Sequence, residues 1–267
     1  MTDAASAQLS QKQFETIKER LYSFCGINLN FDKQNLVKAR LTKRLAAVKL
    51  TTFDQYLSFV EKDRTEFSHM IDALTTNKTN FFREPQHFDF LRERVLPKVR
   101  SKRLRIWSAA CSSGEEPYTI SMQLHDSIPD IGKWDIKILA TDISGKILQK
   151  ASSAEYPEEA LTGISAAQRQ KYLTRLSDQQ YRVRDEIRKP IKFARLNLME
   201  KWPMRGPFDV IFCRNVMIYF DKPTQASLVN RFYDLLDSGN YLFVGHSESL
   251  TNVDHRFSYI QPAIYLK

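Results

Sequence analysis

The sequence predicts an α/β protein: a doubly wound, mostly parallel sheet with a small antiparallel β-subdomain inserted, preceded by a small all-helical domain. Three observations predict it. Up to Leu74 the apolar residues recur only at helical spacing, and from Leu104 onward short apolar runs alternate with helical stretches. Between those runs lies a stretch of period-two alternation bent at a proline. At 267 residues, 42% hydrophobic and 27% charged, the chain has ample core and the composition of a folded globular protein. No apolar run approaches bilayer length and the N-terminal residues lack a secretory h-region, so a cytoplasmic location is expected. Cys25, Cys111 and Cys213 are too few and too widely spaced for a disulfide framework or a C-x-x-C site; they read as reduced, and no metal site is expected. The net charge of +9 implies an acidic partner: nucleic acid, an anionic membrane or an acidic protein surface.

The helical domain is read first. Phe14, Ile17, Leu21 and Phe24 form one stripe, which Gly26 ends. Asp32 offers an N-cap for a helix from Lys33 to Leu50, with Leu36, Val37, Leu41, Leu45 and Val48 as its buried stripe. Its other side carries Lys33, Lys38, Arg40, Lys43, Arg44 and Lys49, with no acid between Asp32 and Asp54. Such a run is either a solvated face or, given its single sign, a docking surface. Phe53, Tyr56, Leu57 and Val60 mark a third helix, and Phe67, Met70, Ile71 and Leu74 a fourth. Thr75 to Arg83 (TTNKTNFFR) is polar and non-periodic up to its aromatic pair, which suits an interdomain linker with a buried anchor or a strip closing over a ligand. A basic helix from Pro85 to Lys102 follows.

Next comes the stretch on which the chemistry turns. Leu104, Ile106 and Trp107 form a buried strand that breaks into the small-residue turn Ala109 to Gly114, and Glu115, Glu116 and Pro117 open a helix. Strand, tight turn and helix make the entry to a nucleotide site. A dinucleotide loop would carry G-x-G-x-x-G and leave the helix N-terminus free for pyrophosphate. Here one glycine and two carboxylates point instead to a cationic group nearby. Trp134 to Asp142 (WDIKILATD) is a second strand ending on an acid placed to accept from a ribose diol. An adenosine-containing ligand with a positive end and no phosphate suggests S-adenosylmethionine. Taken singly, Glu116 reads equally as a helix N-terminal charge and Asp142 as a cap; in this order together they favour a site.

Ser144 to Ala151 and the segment entered from Ser165 read as helices. Tyr181 to Arg184 and Ile191 to Leu196, joined across Lys189-Pro190, read as an antiparallel hairpin. Pro207 to Cys213 is a third buried strand, whose carboxyl end places Arg214, Asn215 and Tyr219 for chemistry; the alternative for Tyr219 is a core aromatic with its hydroxyl satisfied locally. A helix from Lys222 to Leu236, the strand Tyr241 to Val244 and a closing β-hairpin around Pro262 complete the chain. His246, alone near a strand end, reads as structural.

These residues closely resemble bacterial chemotaxis receptor methyltransferases, the CheR proteins, over nearly the whole chain. The resemblance rests on TTNKTNFFRE at 75–84, WSAACSSGEEPYTI at 107–120, ATDIS at 140–144, NLME at 197–200, FDVIFCRNVMIYFDK at 208–222 and GHSES at 245–249. It implies S-adenosylmethionine as methyl donor, S-adenosylhomocysteine as product, and the γ-carboxylate of glutamates on chemoreceptor cytoplasmic helices as acceptor. It also implies an all-helical recognition domain over 1–74, a cofactor-contacting strip over 75–84 and a Rossmann-like methyltransferase domain over 85–267, with its β-subdomain at about 156–196.

Carried over residue by residue, the resemblance assigns Asn77, Thr79, Arg83, Glu116, Asp142, Asn197, Leu198, Arg214 and Asn215 to the cofactor. Arg83 and Tyr219 are the expected participants in transfer. Lys33, Lys38, Arg40, Lys43 and Arg44 are expected to meet the acidic receptor helices. No nucleic acid and no membrane insertion are expected, and a monomer is. One departure stands out: family members that tether to a receptor's C-terminal peptide carry a longer, glycine-containing loop in the β-subdomain, whereas Leu176 to Gln180 is short and lacks glycine. Tethering is therefore not expected. The rival readings are a non-catalytic receptor-binding adaptor and a nucleic-acid methyltransferase. The latter, if it methylates amino groups, would carry a proline-rich motif that Asn215-Val216-Met217-Ile218-Tyr219 lacks.

Overall fold

The computed structural model describes residues 7–267, which divide into two compact units. The first holds the residues up to Thr76 together with Tyr219–Asp221. Its helices are α1 (Gln11–Cys25), α2 (Gln34–Ala47), α3 (Phe53–Lys62) and α4 (Arg64–Leu74). A capping box opens α1, where Ser10 accepts from the Gln13 N–H, and Gly26 closes it in the left-handed conformation at φ 74°. Phe14, Ile17, Leu21, Val37, Leu41, Leu45, Phe53, Tyr56, Val60, Met70 and Ile71 are all buried and make up the core of this unit.

Two sequence expectations change here. Asp32 does not cap α2: it lies within a 3-10 turn, Phe31–Lys33, and pairs with Lys33 at 2.9 Å. Leu36 is 44% exposed, because the buried stripe runs at strict four-residue spacing through Val37, Leu41 and Leu45 and passes one position beside it.

The second unit, residues 77–218 and 222–267, is built on a seven-stranded sheet of order β6-β2-β1-β7-β8-β10-β9. Its strands are β1 (Arg103–Ala109), β2 (Asp135–Asp142), β6 (Ile191–Arg195), β7 (Phe208–Cys213), β8 (Leu236–Val244), β9 (Ser258–Gln261) and β10 (Ile264–Leu266). The first five pair in parallel, and the closing hairpin β9–β10 adds to β8 antiparallel. Crossovers run through α6 (Glu115–Ser127), α7 (Gly145–Ser153) and α10 (Lys222–Leu235). Alternation along β1 sends Ile106 to the face shared with Ile120 and Leu124 of α6, and Trp107 to the opposite face, where its ring meets Trp202 at 4.8 Å and Phe232 of α10 at 5.2 Å.

A separate three-stranded antiparallel sheet, β3-β5-β4, comprises β3 (Glu155–Pro157), β4 (Leu173–Ser177) and β5 (Gln180–Val183). Ser165 caps the helix α8 (Ala166–Tyr172) that leads into β4. The expected hairpin across Lys189-Pro190 does not form. The short helix α9 (Asp185–Arg188) separates the two alternating stretches; β5 pairs with β4, and β6 joins the main sheet parallel to β2. Alternation reports that a segment is extended and half-buried, and says nothing of its partner. The expected helix from Pro85 to Lys102 is also cut short. It winds as α5 (Gln86–Phe90), a π turn (Leu91–Val95) and a 3-10 turn (Leu96–Lys98), and Val99 is extended after Pro97, which has no N–H to continue the ladder. No helix among the described residues is long and apolar enough to cross a membrane.

Candidate functional site

Strands β1, β2, β7 and β8 run the same way, and the chain order reverses about β1, which has β2 on one side and β7 on the other. A sheet that reverses in this way leaves a crevice at the carboxyl ends of its strands. The turn from β1 to α6 lines it. Ala110, Ser112 and Gly114 all adopt positive φ, at 62°, 51° and 96°, and the Cys111 N–H donates to the Thr141 carbonyl at 2.9 Å. Gly114 is required: a Cβ there would lie 2.9 Å from the Tyr156 hydroxyl and 3.0 Å from the Ala151 Cβ. Asp142, at the end of β2, accepts from the Ser112 N–H at 2.9 Å and the Ser144 N–H at 3.0 Å.

The polar strip packs along the same turn. The Ser112 hydroxyl donates to the Asn77 carbonyl at 3.0 Å, the Phe82 N–H donates to Thr119 Oγ1 at 3.1 Å, and Phe81 is fully buried with its ring 4.9 Å from Tyr156. Thr79 and Arg83 are half-buried, and Arg83 donates to the Lys78 carbonyl at 3.0 Å. Phe82 and Glu84 also take positive φ, at 52° and 57°, as does Asn215 at 58°. Such backbone costs free energy in residues other than glycine and gathers where surrounding structure enforces it, commonly at functional sites.

At the ends of β7 and β1 sits a buried charge cluster. Arg214, with a side chain 2% exposed, donates to Glu84 Oε2 at 3.0 Å and to Glu116 Oε2 at 3.1 Å, and also bonds the Arg83 carbonyl. Glu116 accepts from the Ser108 hydroxyl at 2.7 Å, and Glu84 from the Asn215 amide at 3.2 Å. Burial pushes the Glu116 carboxyl above its usual range, and Arg214 and Ser108 only partly pull it back. Burial pushes Glu84 up as well, but Arg214 and Asn215 outweigh it and hold that carboxyl low. His87, fully buried beside them, is pushed by burial, and then by Arg214, down to about 3, so it stays neutral; neither ring nitrogen has a hydrogen-bond partner, nor does Arg214 Nε. His246 stacks on His87 at 5.3 Å. The cluster therefore carries two carboxylates against one guanidinium, which suits a cationic ligand. A phosphate is not served, because Glu115 and Glu116 occupy the first turn of α6.

Asn197 follows β6 and is 6% exposed, with its Oδ1 accepting from the Met199 N–H at 3.0 Å. The Leu198 carbonyl accepts from Trp202 Nε1 at 3.2 Å and Arg231 Nη1 at 2.6 Å. Tyr219 groups with the helical unit, where its carbonyl accepts from the Asn28 N–H at 2.8 Å. Within that unit the basic residues of α2 divide. Arg44 makes two bonds to Glu66, at 3.0 and 2.6 Å, and Arg40 bonds the Leu74 and Thr75 carbonyls at 2.8 and 3.1 Å. Lys33 pairs with Asp32, Lys38 reaches Gln8 at 2.8 Å, and Lys43 is exposed.

Sequence reasoning missed Glu84 and Glu248, and counted Glu115 with Glu116 as a pair of carboxylates facing a cationic group. Glu84 ends the TTNKTNFFRE motif and could have been weighed as a partner for Arg214. Glu115 is 4% exposed and takes the Ser113 hydroxyl on both oxygens at 2.9 and 2.7 Å, so of the two helix-opening acids one clasps the turn and the other faces the arginine. Glu248, within GHSES, accepts three backbone N–H groups.

Comparison with known proteins matches this arrangement to a family. Residues 77–266 match the CheR methyltransferase SAM binding domain, and residues 12–75 match the CheR methyltransferase all-alpha domain. A chemotaxis protein methyltransferase of Borreliella burgdorferi is 40% identical over 270 residues, covering 97% of this chain and 95% of that protein. That of Escherichia coli is 41% identical over 264 residues, covering 96% and 91%, and a probable chemotaxis protein methyltransferase of Rhizobium etli is 43% identical over 241 residues, covering 86% and 90%. The cofactor that suits two carboxylates against one guanidinium is S-adenosylmethionine, the one this family's domain binds, and the chain belongs to the CheR methyltransferases.

Proposed function

We propose that the protein methylates the γ-carboxylates of specific glutamates on the cytoplasmic helices of chemoreceptors, giving methyl esters, and works in the cytoplasm. The observation that carries the reading is the presence, in order on one chain, of both CheR domains over nearly its full length, in a protein similar to chemotaxis methyltransferases. When bound, the cofactor supplies a methyl group activated by its sulfonium. Glu116 holds the methionine end, Asp142 the ribose, and Asn77, Thr79, Asn197, Leu198, Arg214 and Asn215 the remaining contacts. An acceptor glutamate, with an ordinary pKa of about 4.3, is already ionised at neutral pH, so no general base is needed. The protein's task is alignment in a water-poor site. Arg83 orients the incoming carboxylate, and Tyr219 donates a hydrogen bond to it; as a positioner, Tyr219 lost to Phe lowers kcat by about tenfold to a thousandfold, where a true base would leave no activity.

Receptor helices rich in acid are met by α2. Because Arg44 is paired with Glu66 and Lys33 with Asp32, most of the steering charge comes from Lys38 and Arg40, whose hydrogen-bond partners are uncharged, and from the exposed Lys43, and Arg44 holds the helix that presents it. Association then weakens with rising salt. The test is transfer of labelled methyl from S-adenosylmethionine to purified receptor cytoplasmic fragments, with nucleic acid as a parallel acceptor and Arg83→Ala as control. Base-labile label on receptor glutamates, lost in the control, is the expected result. Label on nucleic acid would overturn the reading, and cofactor binding without transfer would make the protein an adaptor.

A further inference from the structure

We propose that Glu248 is a positioning residue for the cofactor site, acting through the backbone of Asn215; the inference rests on the assignment of Asn215 to the cofactor. Glu248 lies in the loop after β8, and its carboxylate reaches across to the loop after β7. Its Oε2 accepts from the Asn215 N–H at 2.7 Å and the Gly245 N–H at 2.5 Å, and its Oε1 from the Ile218 N–H at 3.2 Å. The residue is 6% exposed. One buried side chain thus ties together the ends of two adjacent parallel strands, and only an ionised carboxylate accepts at both oxygens without offering a donor.

Two further features show that the clasp has been accommodated by its surroundings. A Cβ on Gly245 would fall 2.5 Å from Asn215 Nδ2 and 2.7 Å from Glu248 Oε2, so glycine is what lets the loops close. Asn215 sits at φ 58°, a conformation that its own fixed N–H helps to hold, and from it the side-chain amide reaches Glu84 at 3.2 Å. Glu248 therefore connects, through Asn215, to the Glu84–Arg214–Glu116 cluster while itself standing behind it. Burial pushes the Glu248 carboxyl up and the backbone donors draw it back.

The test is a double-mutant cycle on S-adenosylhomocysteine affinity by calorimetry, with Glu248→Gln, Asn215→Gly and their combination, alongside melting temperatures without ligand. Glycine at 215 tolerates the positive φ and removes only the side chain. Glu248→Gln keeps the shape and one acceptor oxygen but turns an amide N–H₂ toward backbone N–H groups. It is expected to weaken binding by about tenfold. Glu248→Leu, which removes both acceptors, is expected to weaken it further. Because Glu248 acts through Asn215, the double variant should bind no more weakly than Asn215→Gly within about twofold. Losses that multiply, or a Glu248→Gln variant whose affinity is unchanged while its melting temperature falls, would overturn the inference. An Asn215→Gly variant with wild-type affinity would instead overturn the cofactor assignment of Asn215, and with it the inference.

Discussion

Among the described residues each unit holds an arginine–glutamate cluster built around a buried charged side chain, Glu66 in one and Arg214 in the other, and the two are built to different ends. In the helical unit Arg44 meets Glu66 through two bonds, and the Tyr56 hydroxyl completes Glu66 at 2.8 Å. One charge meets one charge, and the arginine side chain is still 25% exposed. In the sheet unit the Arg214 side chain is 2% exposed, faces both Glu84 and Glu116, and keeps an unpartnered Nε. The first cluster is electrically closed, while the second is left one positive charge short and is surrounded by residues at positive φ. The difference teaches how to tell a bridge that fastens helices from one suited to a charged ligand: the count of charges and the satisfaction of each polar atom separate them, where burial alone does not.

The largest effect expected from breaking this contrast is at Arg214. Arg214→Leu strands two buried carboxylates together and should cost about 3–5 kcal/mol of stability, read from urea unfolding, with cofactor binding lost. Glu66→Gln should cost less, about 1–2 kcal/mol, since water reaches Arg44, and should leave cofactor affinity unchanged. A fall in affinity there would mean that the two clusters are not independent. The smallest effect is at His87. Its folded value of about 3 lies below the ordinary 6.5, so the unfolded chain binds the proton first and the residue draws stability down as pH falls from about 6.5 toward 3. His87→Phe should change stability at pH 7 by less than about 1.5 kcal/mol while flattening that acid decline.

Much of the α/β order could be read from the chain, because buried parallel strands are short apolar runs and their positions follow from hydrophobicity alone. Asp142 stood out as an acid at the end of such a run, and Glu116 as an acid opening the helix after a small-residue turn. Strand partnership was harder. Ile191–Arg195 alternates like one arm of an antiparallel hairpin, yet Pro190 accepts from the Ile138 N–H at 2.8 Å and opens a parallel pairing with β2 at the edge of the main sheet. Local periodicity holds no record of that long-range bond. Glu84 and Glu248 were hidden for the same reason: each is an unremarkable acid in a loop until the fold brings Arg214 or three backbone N–H groups to it. Arg40 and Arg44 read as part of a charge run, either solvated or docking, and only the packing of α4 beside α2 shows where their guanidinium groups go.

The claim that the charge-deficient cluster is the seat of a cationic ligand is tested most directly by titrating S-adenosylmethionine into wild type and Glu116→Gln at pH 5, 6 and 7.5. Burial raises Glu116 above the ordinary 4.5, so in the folded protein it holds its proton to higher pH, and a cation that needs the ionised form must displace that proton. Wild-type affinity should rise with pH across this range and level off once Glu116 is ionised. In the variant, affinity should be weaker by about tenfold and lose that rise. Equal affinity and an identical pH slope in the two proteins would contradict the account.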